Sequence, residues 1–402
     1  MVTNIKDFTL NQLSCLDTIL VDLHIHTNVP GSDGGNSPKR LIRLINLCKE
    51  DKIEEITNLI ISRYGKDADY DVVEKIVRDQ VCVVISIQDH NTMEAYDHLA
   101  KMTIPENIKI IPGCEVEIKS PLKGLVMDIT TYNTDKVEFA KTETGKKLKK
   151  IVENKPTEEK KAFDQLCDAL IVDNIIFTDY LTDLYKHKSY DYTTMKLRAN
   201  DIIIDEIIKI PENVDILNNK GYGFDVKKAR NTWYRRFCCN PKAKGYYINQ
   251  TIGRPTLEEL TCDVKKCGGF AILAHPTAYP FELFGTDYSK VTDELLDKNC
   301  LAGLELVYRS LISDELGKTT TADEIIQTLY DKCIARNLIY TLSSDFHKEK
   351  EGQKLFHVID DKYPISYRYI HPSMFDGCDK ALEIIKNKHN VEPLTPEIKI
   401  YG

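Results

Sequence analysis

The sequence predicts an α/β fold: a barrel of βα units that carries a mainly helical insertion. Three observations lead there. Short apolar runs rich in β-branched residues alternate with helical patterns over residues 18–134 and again over 253–369. Hard, deprotonatable side chains stand at the ends of several of these runs, where a closed parallel barrel places its site. Between residues 135 and 252 the alternation stops, and the chain becomes Lys-, Asp- and Tyr-rich with helical periodicity.

The strand-like runs are 19–25, 81–87, 108–111 continuing to 118, 125–130, 270–273, 303–307 and 338–342. A helix over 38–49 follows from Ser37 as cap, Pro38 at the first position and the apolar set Leu41, Ile42, Leu44, Ile45 and Leu47. Residues 92–102, 256–267 and 321–336 read the same way, and Thr256 with Glu259 forms a capping-box pattern. Inside the insertion, Phe163, Leu166, Leu170 and Ile171 follow one helical face, and 202–210 is a second apolar run. Residues 370–402 read as a C-terminal helix and tail.

Length and composition narrow the function. The 402 residues suit one large domain with an insertion, or two domains, and 42% hydrophobic content supplies a core. No apolar run approaches a membrane span, and the first 20 residues lack the basic start and apolar stretch of a signal peptide. The 12 cysteines are scattered without a CxxC pair, which suits reduced thiols in a cytoplasmic protein. A net charge of −8 argues against long nucleic acid as a partner, because such binding leans on many Lys/Arg–phosphate contacts.

The chemistry lies in five short stretches: Asp22-Leu-His24-Ile-His26-Thr27, Gln88-Asp89-His90-Asn91, Pro112-Gly113-Cys114-Glu115, Ala274-His275-Pro276 and Ser344-Asp345-Phe346-His347. Each ends or follows an apolar run. Imidazole and carboxylate in this repeated placement are metal-ligand chemistry. These motifs, in this order, resemble those of the PHP (polymerase and histidinol phosphatase) family of metal-dependent phosphoesterases. The resemblance covers residues 18–132 and 255–348 and leaves the insertion aside.

What the resemblance implies is a distorted seven-stranded (β/α)7 barrel holding two or three divalent ions, of manganese, zinc or iron. It implies that His24, His26, Glu115 and Asp345 hold one ion. Glu115 would bridge to a second ion bound also by His275, and His90 and His347 would hold a third with an acidic group after the first strand. Asp33 matches that group best, although Pro30-Gly31 lengthens the usual spacing. Where many members carry a further histidine this chain has Asp128, which either substitutes for it or marks a depleted second site. Asp22 and Asp89 flank the ligands. They read as general acids for the leaving alkoxide or as carboxylates that orient ligand histidines, and with His347 they are the catalytic candidates.

Charge favours an anionic ligand. Asp33, Glu115 and Asp345, with Asp128 as a fourth carboxylate, would be outweighed by three divalent ions, so a phosphate suits the pocket. Residues 227–247 hold seven basic and five aromatic residues and no acidic one. There Arg235 and Arg236 are candidate phosphate contacts, unless the stretch is a solvated helix face. The expectation is a phosphoesterase acting on a small phosphorylated substrate, a nucleotide or similar metabolite. The alternatives are an exonuclease on short single-stranded nucleic acid, a histidinol-phosphate phosphatase, a hydrolase of C–N bonds, and a non-catalytic metal-binding regulatory module.

Overall fold

The computed structural model describes residues 18–64, 69–119, 121, 126–195, 197–220, 226, 253–277, 288–298, 300–306, 321–348, 354–358 and 363–389. The basic aromatic stretch with Arg235 and Arg236, and the tail beyond residue 389, lie outside them. Two sheets carry the fold. β1 (Ile19–Ile25), β2 (Cys82–Ile87) and β3 (Ile108–Ile111) form a parallel sheet in that order. β4 (Glu115–Lys119), β5 (Val126–Tyr132), β6 (Phe270–Leu273), β7 (Gly303–Glu305) and β8 (Ile339–Thr341) form the second, also in chain order. β2 is buried along its whole length, as expected of a parallel strand covered on both faces. A small antiparallel pair, β9 (His357–Val358) and β10 (Tyr363–Pro364), stands apart.

The expected closed, all-parallel, seven-stranded barrel needs two corrections. First, the run 108–118 is two strands. β3 pairs with β2, but β4 pairs with β5, and the chain changes sheet at Pro112-Gly113. A Cβ on Gly113 would lie 1.8 Å from Thr131 O, so the crossing needs glycine. Among the described residues the backbone pairing between the sheets is by isolated bridges, Ile25 with Phe346 and His90 with Glu115, and not by a continuous ladder. Second, β5 runs antiparallel to both β4 and β6. Its link to β4 is residues 120–125, too short for the crossover a parallel pair requires.

The helices begin with α1 (Pro38–Tyr64) and α2 (Tyr70–Gln80), which share a core of Ile53, Ile56, Ile60, Val73 and Val77. α1 runs well past residue 49, and the helix expected over 92–102 shrinks to α3 (Ala95–Leu99). The insertion supplies α4 (Lys136–Lys141), α5 (Glu143–Val172), α6 (Asp179–Lys186), α7 (Tyr192–Met195), α8 (Ala199–Ile207) and α9 (Pro211–Asn219). It has a core of its own, built from Phe163, Leu166, Leu181, Ile203, Ile207 and Leu217 among others. Ile171 leaves the predicted apolar face and is 48% exposed. Leu148, near the start of α5, joins the main core. Then come α10 (Leu257–Lys266), α11 (Tyr288–Leu296), α12 (Ala322–Arg336) and α13 (Asp379–His389); α10 and α12 both start with complete capping boxes. The chain leaves the second sheet at Tyr132 and rejoins it at Phe270, and these two residues are register partners. Among the described residues no helix is long and apolar enough to cross a membrane.

Candidate metal centre

β1 ends in His24-Ile25-His26. Side chains alternate along a strand, so the two imidazoles share one side while Leu23 and Ile25 enter the apolar cores. Their ring centroids lie 5.0 Å apart. His90 follows β2, His275 follows β6, and Asp345 and His347 follow β8. His275 (φ +26°) and Asp345 (φ +50°) hold left-handed backbone, which side-chain-bearing residues keep only where their surroundings impose it.

Glu115, the first residue of β4, is the hub. Its Oε1 lies 2.9 Å from His275 Nε2 and 3.4 Å from His24 Nε2. Its Oε2 lies 3.1 Å from His90 Nδ1 and 3.5 Å from His26 Nε2. Asp345 Oδ1 is 3.0 Å from His26 Nε2 and 3.6 Å from His24 Nε2. Asp33 Oδ1 is 3.0 Å from His347 Nε2 and 3.5 Å from His90 Nε2. Asp128 Oδ2 stands 4.0 Å from His275 Nε2. The ligand candidates therefore form one constellation. Within it, among the described residues, three overlapping groups could each hold an ion: His26, Asp33, His90 and His347; His24, His26 and Glu115; and His90, Glu115 and Asp128.

The donors themselves test the fit to a metal. His24 Nε2, both ring nitrogens of His26 and His90 Nδ1 are buried and lack a hydrogen-bond partner. Buried polar atoms almost always find one. Nitrogens left without one, beside ionised carboxylates, suit a divalent cation. Burial works against charge on Glu115, yet His90 and His24 outweigh it and hold its carboxyl well below the usual range. Asp33 behaves alike, with His347, His90 and Arg198 overcoming its burial. Burial also opposes charge on His24, but Glu115, Glu305 and Asp345 keep its pKa well above the ordinary histidine value. His26 drops to about 3 through burial and the repulsion of His347. Asp128 rises to about 7, first through burial and then through Glu115.

The flanking carboxylates hold backbone in place. Asp22 accepts from Ser344 N (3.1 Å), Ser344 Oγ (2.6 Å) and Phe356 N (3.0 Å), tying β1 to the loop that carries Asp345. Asp89 accepts from Thr27 N (2.6 Å), Thr27 Oγ1 (2.7 Å) and Ser32 Oγ (2.7 Å), fixing the loop that carries Asp33. Sequence reasoning missed Glu305. This buried carboxylate lies 3.2 Å from His24 Nδ1 and accepts from His275 N at 2.8 Å, so it orients one ligand ring and the backbone of another. The signal was a glutamate inside an apolar strand, Leu304-Glu305-Leu306.

The insertion reaches the same loop. Lys155 Nζ donates to Gly31 O at 2.7 Å, and the Arg198 guanidinium pairs with Asp33 Oδ2, the oxygen that faces away from the histidines. A cavity of about 490 Å³ opens beside His90, walled by α5 and lined by Lys150, Lys155, Arg198 and Arg254.

No family model matches the chain, and no curated protein matches it. It is similar to an amidohydrolase of Chromobacterium violaceum solved with sulfate and no metal: 17% identity, TM-score 0.48, 82% of this chain and 87% of that one. It is also similar to a Bifidobacterium adolescentis protein named as a metal-dependent phosphoesterase: 16% identity, TM-score 0.44, 91% of this chain and 96% of that one. A two-domain Bacteroides vulgatus protein, described as containing a predicted PHP-like metal-dependent phosphoesterase, matches at 12% identity and TM-score 0.29, over 81% of this chain and 51% of its own. The solved structures this chain is similar to thus include two proteins described as metal-dependent phosphoesterases, one of them as PHP-like.

Proposed function

We propose that this chain is a metal-dependent phosphatase that hydrolyses a small phosphate monoester, a nucleotide or similar metabolite, and holds two or three divalent ions of the manganese, zinc or iron class. The observation that carries the reading is the Glu115 constellation, with buried, unpartnered imidazole nitrogens set against carboxylates beside a cavity lined by six basic and three acidic residues. Bound ions would lower the pKa of a water from about 15.7 to near 7 and polarise a phosphoryl oxygen. Glu115 presents one oxygen to His24 and His275 and the other to His26 and His90, which supports the reading that it would be shared between two ions. Asp22 and Asp89 act here as positioning residues, because their oxygens are engaged by Ser344, Phe356, Thr27 and Ser32. Lys155 and Arg198, which line the cavity, would meet the anionic substrate, the role expected of Arg235 and Arg236.

The test is product-resolved hydrolysis with added Mn²⁺, on mononucleotides, other small phosphate esters and a short single-stranded oligonucleotide. A His24→Ala, Asp345→Ala double variant serves as the blank. Phosphate released from the small esters, and absent with the double variant, is the expected result. Mononucleotides cut from the oligomer would replace the phosphatase reading with an exonuclease. Bound metal with silence across the panel would leave a non-catalytic metal module.

A further inference from the structure

The three ligand groups are chemically unequal. His26, Asp33, His90 and His347 offer three imidazoles and one carboxylate, whereas His90, Glu115 and Asp128 offer one imidazole and two carboxylates. Imidazole suits zinc and iron, while carboxylate, carbonyl and water suit magnesium, calcium and manganese. His90 is drawn from both sides: its Nε2 lies 3.5 Å from Asp33 Oδ1 and its Nδ1 lies 3.1 Å from Glu115 Oε2. A neutral imidazole has one accepting nitrogen, so His90 serves one position at a time. When it serves the Asp33 side, the position by Asp128 keeps Glu115 and Asp128, with His275 2.9 Å from the first and 4.0 Å from the second.

Solvent access does not separate the two positions: Asp128 is 24% exposed, and Asp33, His90 and His347 are 27%, 17% and 18% exposed, so the donor chemistry sets them apart. Asp128 is held there by β5, the strand that runs against its neighbours: Ala274 N donates to Asp128 O at 3.1 Å, which sets Asp128 alongside His275.

We infer that the position between Glu115 and Asp128 is an exchangeable, oxygen-rich site for Mn²⁺ or Mg²⁺, while the imidazole-rich positions retain Zn²⁺ or Fe²⁺, and that Asp128 sets this division. The inference rests on the metal-centre reading above and adds which residue sorts the ions.

The experiment needs no turnover. The full-length protein is loaded with Zn²⁺ and Mn²⁺ together, passed through a weak chelator, and counted for retained metal by elemental analysis. Free and bound Mn²⁺ are followed in parallel by electron paramagnetic resonance. In the unaltered protein, zinc should survive the chelator and manganese should leave. Asp128→His should abolish the exchangeable manganese and raise the retained zinc by one ion per chain. Asp128→Asn should weaken Mn²⁺ at least about 10-fold and leave retained zinc unchanged. Circular dichroism and Tm on both variants exclude a folding defect, and the two variants check each other. Equal retention of both metals in the unaltered protein would overturn the inference, as would an unchanged zinc count in folded Asp128→His. If the unaltered protein binds neither ion, the metal-centre reading itself falls. If it binds both without sorting them, the inference falls and the metal-centre reading stands.

Discussion

The two flanks of the constellation are built by different means. On one, His24, His26 and Glu115 are at most 1% exposed. On the other, His90, His347 and Asp33 are 17%, 18% and 27% exposed. The sealed flank is fixed by strand ends and by Glu305, all parts of the two sheets. The open flank depends on a loop clamped by Asp89 from beneath and by Lys155 and Arg198 from the insertion. The sheets therefore determine whether a centre exists, and the insertion acts on one side of it.

Substitutions can break that division. The largest effect is expected at the sealed hub: Glu115→Gln keeps the shape but removes a charge shared by four histidines. Turnover should fall on the order of 10³-fold or more, with metal lost from the isolated protein. Elemental analysis beside a phosphate-release assay checks it, and retention of full metal content would contradict the hub assignment.

Glu305→Gln comes next. The ring of His24 and the backbone of His275 lose their charged partner, and metal affinity should drop about 10- to 100-fold. Competition with a chelator of known affinity measures this. A variant that binds metal as tightly as the parent would make Glu305 mere packing.

The smallest effect belongs to the open flank. The pairing of Arg198 with Asp33 is about one-third exposed on the arginine side, so Arg198→Ala should cost no more than about 1 kcal/mol of stability. Its signature should instead be a raised KM with the sealed-flank metal content intact. A fall in kcat at constant KM would show that Arg198 acts on the ions and not on the substrate.

Most of the ligand candidates could be read from the chain because they stand as hard side chains at or just past an apolar run, whereas Asp33, in the loop after β1, and Asp128, inside β5, came from the family resemblance. Glu305 escaped the same reading because it alternates with Leu304 and Leu306, as a solvent-facing strand residue would. Gly113 was visible as part of a motif, but only its 1.8 Å approach to Thr131 O shows that the chain changes sheets there. Lys155 and Arg198 lie more than a hundred residues from the loop they hold, and no local pattern links them. The reversed direction of β5 follows from a short link whose meaning depends on which strands pair, and pairing is a long-range property.

The pairing of Tyr132 with Phe270 makes everything between them, in topological terms, the loop of a single hairpin. The free energy of closing a loop grows only logarithmically with its length, about 0.6 kcal/mol per doubling. The frame is therefore nearly indifferent to how much chain hangs from that junction. The side chains that the sheets hold, His24, His26 and Glu115, can stay in place while that loop is lengthened or shortened away from the sheet, whereas Asp33 depends on Arg198 within it.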